Sequence, residues 1–174
     1  LANGELPYWS ITPAGNESGG ASEVKKTLDY CKATLIDNEI LIGIFDHDDS
    51  GLGSFNGLSD KLYDVVKPNI VKKHKDANIY AVVLPIPGEN EKYLHKEQKY
   101  NYFAIEHYFS EDLLKENDVL KDTPIEGIFS IKDSRKKEFS KIVRQNVDPK
   151  TFKNFIHLFN EIDSISGIEI EYTE

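Results

Sequence analysis

The chain has a single cysteine, Cys31, and no methionine. One cysteine cannot close a disulfide within the chain, and it leaves a Cys-based zinc site without its thiolates. That balance suits a reducing cytosol, so a cytoplasmic protein is expected. The missing initial methionine reads as a piece of a longer protein. No apolar run approaches the roughly 20 residues that a membrane span needs. Residues 1–9 lack the basic start and apolar core of a secretory leader. Basic charge is also short: 21 Lys and Arg against 30 Asp and Glu leave a net charge of −9. A domain that grips nucleic acid unaided is usually basic. A nucleic-acid partner would therefore need metal ions or other domains to supply positive potential. Repeats and low-complexity linkers are absent.

What is present suffices for one core: 174 residues, 39% of them hydrophobic. Trp9 and Ile11 read as a short strand, and residues 12–20 as a loop by composition. Ser22 is a plausible N-cap for a helix whose apolar face is Val24, Leu28, Cys31 and Leu35. Cys31 then reads as a packed core residue. Ile40 to Phe45 is an apolar run of strand length, the kind covered on both faces in a parallel sheet. Leu58, Leu62, Val65 and Val66 suggest a short helix ending before Pro68. Ile79 to Leu84 is a second buried strand. Residues 88–100 are polar and read as an exposed loop or hairpin. Ser110 caps a short helix to about Lys115, Gly127 to Ile131 suggests a strand, and a polar helix runs from Asp133 to about Gln145. Asp148 and Pro149 start a last helix, whose stripe of Phe152, Phe155, Ile156, Phe159 and Ile162 reads as core packing. The tail after residue 167 alternates apolar and acidic residues and reads as an edge strand or a frayed end. Strands alternating with helices predict an α/β domain over 1–166, with a mostly parallel sheet between helices and a helical C-terminal part.

In such a sheet, functional residues sit beyond the carboxyl ends of the strands. Asp46 and Asp48 fall there, in Ile-Leu-Ile-Gly-Ile-Phe-Asp-His-Asp-Asp-Ser-Gly (residues 40–51). Carboxylates at i and i+2 on extended chain project to one side and repel. A divalent cation resolves the repulsion, and hard oxygen donors without a nearby Cys favour Mg²⁺ or Mn²⁺. The competing reading is an Asp/Gly-rich turn that caps the next helix. Ser50, Gly51 and Gly53 allow a sharp turn and close approach of a phosphate. His47 is a candidate ligand or proton carrier, but alternation points it away from the two acids.

The run Ile-Gly-Ile-Phe-Asp-His-Asp-Asp-Ser-Gly resembles the aspartate motif of the Toprim fold, the metal-binding domain of topoisomerases, primases and several nucleases. Residues 11–20 resemble the strand and Gly-rich loop before it. Ala-Ile-Glu-His-Tyr-Phe (104–109) resembles the acidic segment after the next strand in Toprim domains of the OLD (overcoming lysogenization defect) type. The Lys-rich helix and the Asp-Pro-Lys-Thr-Phe helix resemble the end of such domains. The likeness covers most of residues 8–163. It implies a metal-dependent nuclease domain acting on DNA and joined to an ATPase of the ABC type. It implies Mg²⁺ or Mn²⁺ at Asp46 and Asp48, with Glu106 completing a second metal position; a helix-start carboxylate is the competing reading of Glu106. A lysine among Lys132, Lys136 and Lys137 would contact the scissile phosphate; a solvated charge run is the competing reading. One departure stands out: such domains begin with a strand ending in Glu-Gly, and no such element precedes Leu1. Glu5 and Glu17 follow no apolar strand and are poor substitutes. The catalytic set is incomplete as the chain stands, so one alternative is a non-catalytic Toprim-like interaction or regulatory module; a third reading, ranked last, is a phosphotransfer enzyme of the haloacid-dehalogenase kind, whose strand also ends in Asp-x-Asp.

Overall fold

The computed structural model of the protein describes residues 10, 12, 14, 20–31, 39–145 and 148–167. The readings of a strand at Trp9 and Ile11, of the loop at 12–20, of Leu35, of Glu5 and Glu17 and of the tail fall wholly or largely outside these residues. Helix α1 (Ala21–Cys31) starts on Gly20, whose carbonyl accepts from Glu23 N and Val24 N, so Ser22 lies within the first turn. Leu28 is its buried residue, with Ala21 and Val24 packed beside it; Cys31 is only half-buried.

Strand β1 (Leu41–Phe45) divides its side chains by strict alternation. Leu41 and Phe45 join the core beneath α1, and Ile42 and Ile44 join the core on the opposite face. Gly43 leaves room for Leu28, whose methyls would lie within 3 Å of a Cβ there. The apolar run is therefore a strand covered on both faces, as its composition predicts. Two residues, β2 (His47–Asp48), then lead directly into α2 (Asp49–Asn56).

The next segment departs from expectation. The apolar spacing at 58–66 predicts a helix, but the chain forms a hairpin of β3 (Tyr63–Lys67) and β4 (Val71–His74). Its turn closes through Ile70 N to Lys67 O, with Asn69 at φ 60°, a left-handed conformation that Asn tolerates. The adjacent β-branched Val65 and Val66 suit a strand and are both exposed, so they form no buried helical stripe. Strand β5 (Ile79–Val83) follows.

The sheet has the order β1-β5-β4-β3. Among the described strands only β1 and β5 are parallel, with Leu41 opposite Ile79 and Phe45 opposite Val83. The pairs β4 with β5 and β3 with β4 are antiparallel. The domain is α/β, but its sheet is mixed rather than mostly parallel, because the hairpin stands where a helix was expected.

Residues 88–100 are two 3₁₀ turns rather than an open loop, and they bury Tyr93 against Phe103 and His107. Strand β6 (Tyr102–Phe103), a 3₁₀ turn (Ile105–Tyr108) and α3 (Glu111–Glu116), capped by Ser110, come next. The hairpin of β7 (Leu120–Asp122) and β8 (Phe129–Ile131) leads to α4 (Asp133–Gln145). Asp148 caps the following 3₁₀ segment through Lys150 N, and α5 (Ile156–Ser166) continues it to Gly167 at φ 68°. The aromatic stripe is core, as expected. Phe155 lies 5.0 Å from the Tyr108 ring and 5.2 Å from the Phe109 ring, joining two apolar clusters. No described helix is long and apolar enough to cross a membrane.

Candidate functional site

The site forms where the chain leaves the sheet. Leu84 N donates to Phe45 O, so the parallel pairing persists to the last residue of β1. Asp46 then breaks away, and β2 pairs antiparallel with β6, His47 opposite Phe103 and Asp48 opposite Tyr102. That short ladder carries residues 104–108, distant in sequence, to the carboxyl end of β1. Ile105 N donates to Asp46 Oδ1 at 3.1 Å, and Glu106 follows it.

Asp46 is mostly buried and its carboxyl is pushed up to about 6. Burial is the largest cause, followed by the like charges of Glu106 and Asp48; Lys136 and the Ile105 amide act in the opposite direction. Glu106 has 13% of its side chain exposed. Its Oε1 lies 3.9 Å from Lys136 Nζ, and its Oε2 is buried without a hydrogen-bond partner. Burial works against the charge on Lys136, but Glu106 and Asp46, with Asp133 nearby, raise its pKa above the usual lysine value.

The expected acids divide by role. Asp46 and Glu106 belong to one polar cluster. Asp48 is the N-cap of α2, its Oδ1 accepting from Gly51 N at 2.7 Å, so the capping reading holds for that residue. Gly51 is required there for space: a Cβ would lie 2.0 Å from Asp46 O. The helix can reach the strand end only with glycine at that position.

Of the three candidate lysines, Lys136 is at the cluster. Lys132 pairs with Asp118 at 2.5 Å, and Lys137 is exposed. His47 does turn away from the acids, as alternation predicts. It is buried, burial lowers its pKa, and its neutral ring donates from Nδ1 to Leu84 O at 3.2 Å. It clips the start of β2 to the end of β5.

Two supports escape the sequence. His107 is buried; its Nδ1 accepts from Ala104 N at 2.9 Å, and its Nε2 donates to Phe129 O at 3.2 Å. Burial lowers its pKa to about 4, so it is a neutral brace for the turn that presents Glu106. Gln98 donates to Asp49 O and Oδ1, both at 3.0 Å, and accepts from Asn56 at 3.3 Å, spanning α2 end to end. The histidine followed by two aromatics in Glu-His-Tyr-Phe was the available hint for the first, and nothing in the polar loop marks the second.

The donor chemistry fits a hard divalent cation. Buried carboxylate oxygen is present, one atom of it lacks a partner, and the raised proton affinity of Asp46 shows its negative charge poorly compensated. Mg²⁺ is commonly held by one or two carboxylates with water and phosphate completing the shell. Among the described residues no three His, Cys, Asp or Glu side chains converge as a ready metal cage, so Asp46 and Glu106 are the only two well-placed acids and Asp48 is committed to its cap. In comparisons with known proteins, the chain matches no family model, no curated protein and no solved structure.

Proposed function

We propose that the chain is the metal-dependent phosphodiester-hydrolysing domain of a larger protein that acts on DNA, with Mg²⁺ or Mn²⁺ as cofactor. The supporting observation is the junction of Asp46 and Glu106 at the carboxyl end of β1, with a Glu106 oxygen buried and unpartnered. Asp46 and Glu106 would hold the metal, and Asp48 would add its second oxygen from the cap of α2. When bound, the metal supplies charge stabilisation for the phosphoryl oxygens and acidifies water. The chain's own residues prepare for this. The Ile105 amide fixes the Asp46 carboxylate, the His107 brace fixes the turn under Glu106, and Gly51 lets α2 approach the strand end. With a net charge of −9, DNA binding rests on the metal and on positive surface contributed by a partner, for which an ATPase domain or chain is the candidate.

A second reading has its own observation. Lys136 already offsets the acid pair and Asp48 already serves a cap. On that reading the cluster is a structural polar network in a non-catalytic module. Calorimetric titration with Mg²⁺ and Mn²⁺ separates the two. Binding at millimolar metal or tighter, lost in Asp46→Ala and in Glu106→Gln, supports the hydrolase. No binding, together with melting curves that metal leaves unchanged, supports the module.

A further inference from the structure

Lys136 occupies a fork. Its ammonium stands 3.9 Å from Glu106 Oε1 on the buried side and 3.3 Å from Asp133 Oδ1 on the exposed side. Glu106 is 13% exposed and Asp133 is 92% exposed, so one branch is nearly dry and the other lies in water. The lysine lies one helical turn beyond Asp133 on α4, at a spacing that brings the two side chains together. Its flexible stem lets the head exchange one carboxylate for the other without moving the helix. The geometry divides the oxygens of Glu106 as well: Oε1 faces the ammonium, while Oε2 is buried without a partner.

We propose that Lys136 is the resident cation of the acid pair in the metal-free protein, and that a divalent ion binds Asp46 and Glu106 only by displacing this ammonium toward Asp133. The inference rests on the metal-site reading above and adds its regulation. An ammonium and a divalent ion sharing one carboxylate pair repel strongly in a partly buried setting. The lysine therefore lowers apparent metal affinity. Asp133 provides the displaced ammonium with a solvated resting place at little cost, because exposed pairs are weak.

Titration of Mn²⁺ alone into the full chain tests this by calorimetry, with thermal melts confirming that each variant is folded. Lys136→Met should tighten Mn²⁺ binding by about tenfold. Lys136→Arg keeps the charge and should stay within about twofold of the parent. Glu106→Gln should lose binding in the parent and in the Lys136→Met background. Equal affinity in the parent and Lys136→Met overturns the counter-ion role and leaves the metal site standing. Equal tightening by Met and Arg also overturns it, because charge is then not the cause. Absence of Mn²⁺ binding in every variant overturns the metal site and this inference together. Binding seen only in Lys136→Met supports both.

Discussion

At the residue scale, two buried groups titrate against each other. Asp46 has its pKa raised to about 6, so its contribution to stability is complete below its ordinary 3.8 and is lost as pH rises through about 6. His107 is lowered from 6.5 to about 4. Its contribution is complete above 6.5 and is lost as pH falls toward 4. Each term amounts to about 3 kcal/mol, and their signs are opposite. The metal-free chain should therefore show a nearly flat stability between about pH 4 and 6.5 from this pair. Asp46→Asn keeps an oxygen to accept from Ile105 N and removes the buried charge. It should raise the melting temperature without metal at pH 7.5 and lose that advantage at pH 4. The variant should also show the His107 acid loss unmasked, as a falling stability from pH 6.5 to 4 in urea titrations. A variant no more stable than the parent at pH 7.5 would mean that the Asp46 carboxylate is better solvated than its burial indicates.

At the scale of elements, α2 is held by its first turn. Asp48 caps it, Gly51 seats it on the strand end, and Gln98 ties its first residue to its last. Gly51→Ala places a methyl carbon inside contact distance of a backbone oxygen that cannot swing aside. It should cost about 3 kcal/mol or more by chemical denaturation, well beyond the ordinary penalty of an ill-fitting side chain. Asp48 separates capping from metal binding. Asn is as good an N-cap as Asp, so Asp48→Asn should change metal-free stability by less than about 0.5 kcal/mol, whereas Asp48→Ala should cost about 1 kcal/mol. If the second Asp48 oxygen serves a metal, both variants weaken Mn²⁺ binding alike in the same titration. If the residue is a cap alone, Asp48→Asn binds Mn²⁺ as the parent does.

At the scale of the whole molecule, charge sets what the chain does unaided. The net charge of −9 opposes a polyanion, and at the acid pair one ammonium, Lys136, stands beside Glu106 and acts electrostatically on Asp46. In gel shifts the isolated chain should bind DNA weakly, only with divalent metal, and less as salt rises. Tight metal-free binding at physiological salt would contradict the proposal. The chain alone should show little or no DNA cleavage with Mg²⁺. In a longer protein of the kind proposed, cutting is expected with Mn²⁺ or Mg²⁺. There Asp46→Ala and Glu106→Ala should each abolish it, since losing a ligand removes the charge stabilisation of the reacting oxygens. A longer protein that cuts no DNA form with either metal favours the non-catalytic module.

Local features were legible along the chain: two apolar runs became β1 and β5, Ser110 and Asp148 became caps, the aromatic stripe became core, and Asp46 came to lie just past a strand end. These follow from side-chain periodicity and from backbone donors that need acceptors, which act over a few residues. Only tertiary structure decided the rest. The segment at 58–66 carries spacing that suits a helix, and pairing with β4 drew it into a strand from Tyr63 onward, because a hairpin partner supplies hydrogen bonds that spacing does not encode. Glu106 could be placed beside Asp46 only once β2 and β6 had paired, across a sequence separation of 59 between Asp46 and Ile105. The choice among Lys132, Lys136 and Lys137 fell to the docking of α4, and the division of labour between Asp46 and Asp48 fell to α2 folding back on the strand end. Charges four residues apart look alike along the chain; the low-dielectric pocket into which each one folds makes them different.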